Sequence, residues 1–185
     1  MRRRRREEKK GAGSVLATVL WIICALVVSA RVAGYGVGEV VGSSMEPTFW
    51  DGEKFFTVSP FAESVEHGDV VVVRAGAKPI LKRVVGTPGD EVQFADGVLY
   101  VNGAAEKPSG YATAGKTLPY ESPVQVLLGE DEYFLLGDNR ENSLDSRFDE
   151  VGVVSGRSIY GKVVFTKKKG EPEWKRQPEA SVTRF

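Results

Sequence analysis

Residues 11–30 (GAGSVLATVLWIICALVVSA) carry no charge and follow a decapeptide, MRRRRREEKK, that is mostly base. A helix needs about 20 apolar residues to cross a bilayer, so this run suits a transmembrane anchor over residues 11–33. Seven bases precede it and Arg31 closely follows. The excess of positive charge on the N-terminal side places residues 1–10 in the cytoplasm as a basic tail and everything beyond the anchor outside. A cleavable leader competes with this reading, because Val28-Ser29-Ala30 resembles a small-residue cleavage site. The run, however, exceeds the roughly 7–15 residues of a leader's apolar stretch. Both readings put the rest of the chain in an extracytoplasmic space.

Charge narrows the function. The 185 residues hold 25 bases and 25 acids. Once the tail's seven bases and two acids are set aside, the remainder is mildly acidic. A folded nucleic-acid binder carries basic surface, so no nucleic-acid partner is expected. The lone cysteine, Cys24, lies inside the apolar run, which rules out an intramolecular disulfide. It also lacks the accessible, electropositive setting of a reactive thiol. The lone histidine, His67, excludes a multi-imidazole site, and no metal-binding spacing occurs. Neither metal nor cofactor is expected.

Beyond Val37 the chain reads as short strands between turns. Asp69–Arg74 (DVVVVR), Pro79–Val85 (PILKRVV), Glu91–Phe94, Val98–Val101, Tyr133–Leu136 and Ser158–Thr166 are strand candidates. Ala95-Asp96-Gly97 joins the third and fourth as a hairpin. Residues 104–123 are rich in Ala, Gly, Pro and Ser and read as an irregular excursion. The expected fold is mainly β: an antiparallel catalytic domain over residues 34–166 behind one N-terminal transmembrane helix, with a frayed polar tail over 167–185.

Three segments concentrate chemistry. The first, Gly42-Ser43-Ser44-Met45-Glu46-Pro47-Thr48, sets a serine in a tight loop whose backbone N–H groups could face an oxyanion; a plain turn would look the same. In the second, Lys82 stands among Ile80, Leu81, Val84 and Val85. As a strand it shares a face with Ile80 and Val84. Burial there would disfavour the ammonium and leave an amine able to take a serine proton. An edge-strand lysine pointing to water is the alternative. The third, Gly137 to Arg147 (GDNRENSLDSR), could pair Asp145 with Arg147 and form local turns at Asp138 and Asn139. Its Ser143 could orient a lysine amine. A charged surface loop is the alternative here.

Together these segments resemble the signatures of the type I signal peptidases (leader peptidases): S-M-x-P-T, K-R-x-x-G-x-P-G-D and G-D-N-R-x-N-S-x-D-S-R, in that order behind an anchor. The resemblance covers residues 37–162 and the anchor. It implies a Ser-Lys dyad with Ser44, not Ser43, as nucleophile and Lys82 as general base. It implies that Ser143 holds the lysine, that Asp145 and Arg147 form a structural ion pair, and that Asp138 lies in the same supporting loop. It places a groove for small substrate side chains near Val40, Met45, Phe49, Ile80 and Leu81. It also implies signal peptides of secreted preproteins as substrates, the lipid membrane and the secretion translocon as partners, and a bacterial origin. Gly42 departs from members that carry a hydroxyl two residues before the nucleophile, which leaves the oxyanion to backbone N–H groups. The short excursion indicates the compact form of the family. Competing assignments are a Ser-His-Asp triad through His67, a self-cleaving repressor (for which a DNA-binding module is missing), and an inactive homologue that binds signal peptides or scaffolds a secretion complex.

Overall fold

The computed structural model describes residues 15–29, 35–60, 64–76, 78–107, 112–121 and 124–177. The basic tail 1–10, the Ala30 cleavage position, Arg31 and the last eight residues lie outside them. Residues 15–29 form a helix, α1, whose every residue is exposed. Val15, Leu16, Leu20, Trp21, Ile22 and Leu26 all exceed half exposure, so α1 is apolar all round and packs on nothing in the domain. Among the described residues no helix is long and apolar enough to cross a membrane. The remainder of the expected 11–33 span, residues 11–14 and 30–33, is outside the description.

The domain is antiparallel β. Its strands are β1 (Gly36–Glu39), β2 (Lys54–Val58), β3 (Val70–Ala75), β4 (Lys78–Gly86), β5 (Glu91–Ala95), β6 (Val98–Val101), β7 (Ala104–Ala105), β8 (Gln125–Leu127), β9 (Glu132–Leu136), β10 (Val154–Ser155), β11 (Ile159–Lys167) and β12 (Lys175–Arg176). The larger sheet runs β1-β2-β11-β3-β4-β9-β10, with β12 added to β11. The smaller runs β7-β6-β5-β8.

The valine run of β3 explains how the large sheet is covered. Val70 packs with Val40, Met45, Phe49, Phe55 and Val163 on one face. Val71 and Val73 pack with Val84, Leu135, Val154 and Ile159 on the other. A strand covered on both sides loses the polar alternation of a half-exposed one, hence VVVV. A third cluster (Val85, Val92, Phe94, Leu99, Val101, Leu128, Phe134, Leu136) welds β4 and β9 to the small sheet.

All six strand candidates correspond to observed strands. Six further strands, β1, β2, β7, β8, β10 and β12, are not among them. The excursion contains β7 and a bridge between Ala114 and Asn139. The tail is more ordered than expected, because Lys175–Arg176 pairs with Phe165 and Thr166. One consequence of register is an outward row across four strands, Val37, Phe56, Phe165 and Arg176, with Tyr35 stacked on Phe56.

Candidate active site

The loop after β1 makes a compact turn. Glu46 N donates to Ser43 O (3.1 Å), and Thr48 N and Phe49 N both donate to Met45 O (3.0 and 2.9 Å). Asp51 Oδ1 accepts from Gly42 N at 2.8 Å. Met45 and Phe49 anchor the turn in the core at 1% and 0% exposure. Gly42 has φ +88°, in the left-handed region where a Cβ is strained, which gives a backbone reason for glycine where a hydroxyl residue was the alternative.

Lys82 lies on β4, between β3 and β9, opposite Val71. Its face carries Ile80 and Val84, both packed in the Val71–Leu135 cluster. The side chain is 3% exposed. Its Nζ donates to Ser44 Oγ at 2.8 Å and to Leu81 O at 3.0 Å. Burial lowers the lysine pKa to about 8 by penalising the ammonium; Asp145 and Asp138 oppose this and Arg147 reinforces it. The pair is thus a half-buried hydroxyl against an amine that gives up its proton far more readily than an exposed lysine does.

The third segment wraps this pair from behind. Asp145 and Arg147, both fully buried, form a forked pair: Nε to Oδ1 and Nη2 to Oδ2, each 2.8 Å. Gly137 N donates to Asp145 Oδ2 at 3.0 Å. The Arg147 guanidinium lies 4.8 Å over the Tyr120 ring. Asp138 makes no mere local turn: it takes Arg83 in a second buried fork, Nε to Oδ1 at 2.7 Å and Nη2 to Oδ2 at 2.5 Å. Arg83 follows the lysine on β4, so the fork fixes that strand to the loop. Arg140 makes a third fork, to Glu106, with Thr117 as a further acceptor.

Ser143 is brought to the site, with its Oγ buried and without a hydrogen-bond partner. No bond from it to Lys82 is formed. It packs on Gly137, where an added Cβ would sit 2.1 Å from Ser143 Oγ and 2.5 Å from Ser44 O. Of the expected groove residues, Val40, Met45, Phe49 and Leu81 fall in one apolar cluster, while Ile80 packs in the cluster on the other face. The first three are buried, at 4%, 1% and 0%, and so underlie a groove rather than form its open wall.

Sequence reasoning missed Asn139 and Asn142, which bond the nucleophile loop through Ser43 and Ser44, and the Arg83–Asp138 and Arg140–Glu106 forks. Only the density of amides and charges in the third segment hinted at them. His67 sits away from this cluster, against Asp90 (2.8 Å) and Thr87 (3.2 Å). Among the described residues no group of acids, His or Cys could hold a metal.

A buried amine on a serine hydroxyl, with no imidazole between them, is the arrangement of a serine hydrolase that uses lysine in place of histidine. The family model described as signal peptidase, peptidase S26, matches residues 14–167, and the chain belongs to that family. It is 31% identical over 159 residues to a signal peptidase I of Bacillus licheniformis, covering 80% of this chain and 83% of the relative. It is 33% identical over 172 residues to a signal peptidase I of Bacillus amyloliquefaciens (84% and 91% covered) and 36% over 143 residues to signal peptidase IB of Staphylococcus aureus strain COL (68% and 74%). A crystal structure of a signal peptidase I from Enterococcus faecalis V583 is similar at 27% identity and TM-score 0.42, covering 52% of this chain and 94% of that one. Membership makes the chain a serine endopeptidase, a hydrolase that processes signal peptides.

Proposed function

We propose that the chain removes signal peptides through an acyl-enzyme formed on Ser44, with Lys82 as general base. The observation that carries this is the 2.8 Å contact between Ser44 Oγ and an amine whose pKa is lowered to about 8 by burial. In the reacting form the neutral amine accepts the hydroxyl proton. Ser44 Oγ then bonds to the carbonyl carbon after a small residue, and the carbonyl π pair moves onto oxygen. Backbone N–H groups meet that charge. The C–N bond breaks, the departing amine takes the proton from Lys82, and the signal peptide remains as an ester. Lys82, neutral again, takes a proton from water, whose oxygen adds to the ester carbon; the C–Oγ bond then breaks and Lys82 returns the proton to Ser44 Oγ.

Asp138, Asp145, Arg147 and Ser143 act here as supports, holding the third segment against β4 and the nucleophile loop. Val40, Met45, Phe49, Ile80 and Leu81 back shallow apolar pockets for the small side chains of an Ala-x-Ala sequence. No cofactor is required.

The placement is a membrane with the peptidase domain on its extracytoplasmic side, beside the secretion translocon. Support comes from the apolar α1, from the bases that precede it in the sequence, and from the outward row of Val37, Phe56 and Phe165 on the sheet. Exposed apolar surface of this kind suits a protein held at a lipid boundary.

The test is cleavage of a fluorogenic peptide containing Ala-x-Ala by the full chain in detergent. Wild type should cut after the second alanine, and folded Ser44→Ala and Lys82→Ala should not. Equal cleavage by all three would locate the activity elsewhere. No cleavage by any would make the chain a signal-peptide-binding protein.

A further inference from the structure

The nucleophile loop is gripped by one residue at two successive carbonyls. Asn139 N donates to Ser44 O at 3.0 Å, and Asn139 Nδ2 donates to Ser43 O at 3.2 Å. Ser43 O also accepts from Glu46 N at 3.1 Å within the turn. A carbonyl with one donor can rock about that bond. A second donor on the other lone pair fixes the tilt of the whole peptide plane.

That plane decides where the Ser44 N–H points. A trans peptide is planar, with its C=O and N–H on opposite sides. Holding Ser43 O toward Asn139 and Glu46 therefore aims the Ser44 N–H away from both. Among the described residues no acceptor takes that N–H. It is thus an unspent donor next to the hydroxyl that attacks. Gly42, two residues before Ser44, has no side-chain donor to share the work.

The neighbouring amide completes the clamp. Asn142 Nδ2 donates to Ser43 Oγ at 2.9 Å, and Asn142 N donates to Asn139 O at 3.1 Å, which ties the two asparagines into one turn. Gly137 lets this turn approach, since a Cβ there would strike Ser44 O at 2.5 Å.

We infer that Asn139 is the positioning residue of the oxyanion hole, its side-chain amide setting the Ser43–Ser44 peptide so that the Ser44 N–H meets the developing oxyanion. The inference rests on Ser44 being the nucleophile. Asn139 makes no hydrogen bond to Lys82 among the described residues. Its loss should leave substrate affinity and the lysine's titration alone and weaken only the binding of charge that develops in the transition state.

The experiment compares full-length wild type, Asn139→Ala and Asn139→Asp in detergent, on the fluorogenic Ala-x-Ala peptide and against a peptide aldehyde of the same sequence. Addition of Ser44 Oγ to the aldehyde carbon gives a hemiacetal whose oxygen occupies the hole. Loss of an oxyanion donor costs about 10²–10³ in kcat. Misaiming one should cost about 10- to 100-fold in kcat, with KM within about twofold and aldehyde affinity falling in parallel. The pH at which kcat/KM is half-maximal should not move. Asn139→Asp keeps the shape and removes the donor, so it should be impaired at least as much and serves if the alanine variant unfolds. Wild-type kcat and aldehyde affinity in either folded variant overturns the inference. So does a loss that falls on KM or, in the uncharged Asn139→Ala variant, shifts the pH midpoint. If Ser44→Ala itself stays active, the assignment of the nucleophile fails instead.

Discussion

Lys82 is a charge that folding makes costly, and this couples activity to stability. Its pKa stands near 8 in the fold against an ordinary value of 10.5. The unfolded chain therefore binds more protons between those two values, so stability increases as pH rises through that window and is lower by the full amount below about 8. A gap of this size corresponds to about 3 kcal/mol. Lys82→Met should accordingly raise the denaturant midpoint at pH 7, with a gain that shrinks toward pH 10.5 in parallel urea titrations. The same group sets the activity profile. As the proposed base it acts when neutral, so kcat/KM should climb about tenfold per pH unit below 8 and level off above it. A flat profile from pH 6 to 9 would exclude Lys82 as the base. Gly42 makes the complementary case, where backbone outweighs side chain. At φ +88° a Gly42→Ser substitution should cost about 1 kcal/mol of stability and leave kcat no higher.

Between strands and loops, the buried guanidinium–carboxylate forks do the joining. Arg83–Asp138 ties β4 to the third segment, and Asp145–Arg147 braces that segment internally. Removing one partner of such a pair strands a buried charge at a cost of about 3–5 kcal/mol. Asp138→Ala should therefore melt well below wild type in calorimetry. Arg83→Met combined with Asp138→Leu should recover most of the loss, because the stranded charge is gone. At this scale the sequence was readable in an uneven way. Runs such as VVVV and PILKRVV announce strands because both faces are apolar, and the Ala95-Asp96-Gly97 turn announces a hairpin. Strands β1 and β2 carry Gly, Glu, Lys and Thr and have no comparable signal; they exist because β11 and each other supply partners. Ser44 and Lys82 were singled out by the family resemblance, since each segment alone left a plain turn or an edge lysine open; the fold brings the two within 2.8 Å. Asp145 with Arg147 was legible because only Ser146 separates them. Arg83 with Asp138 was not, since 55 residues separate them and spacing says nothing about which arginine reaches which carboxylate.

Taken whole, the molecule divides its work between an apolar helix and a β domain whose outward row of Val37, Phe56 and Phe165 begins just past that helix. Deleting residues 1–34 should leave kcat/KM on a soluble Ala-x-Ala peptide within a few-fold of the full chain in detergent, because every site group among the described residues lies beyond them. Cleavage of a preprotein embedded in vesicles should slow much more, because enzyme and substrate no longer share a surface. Equal losses on both substrates would mean that the helix shapes the site itself. The site also has a history along the chain. Lys82 lies 38 residues beyond Ser44, and the asparagine amides that hold Ser43 come 96 and 99 residues after it. Contacts so distant in sequence are slow to form because loop closure must come first. A growing or half-folded chain therefore has a serine, a lysine and an asparagine but no peptidase: the Ser44–Lys82 contact is an outcome of completed topology, so a chain cannot cut anything, itself included, before it is finished.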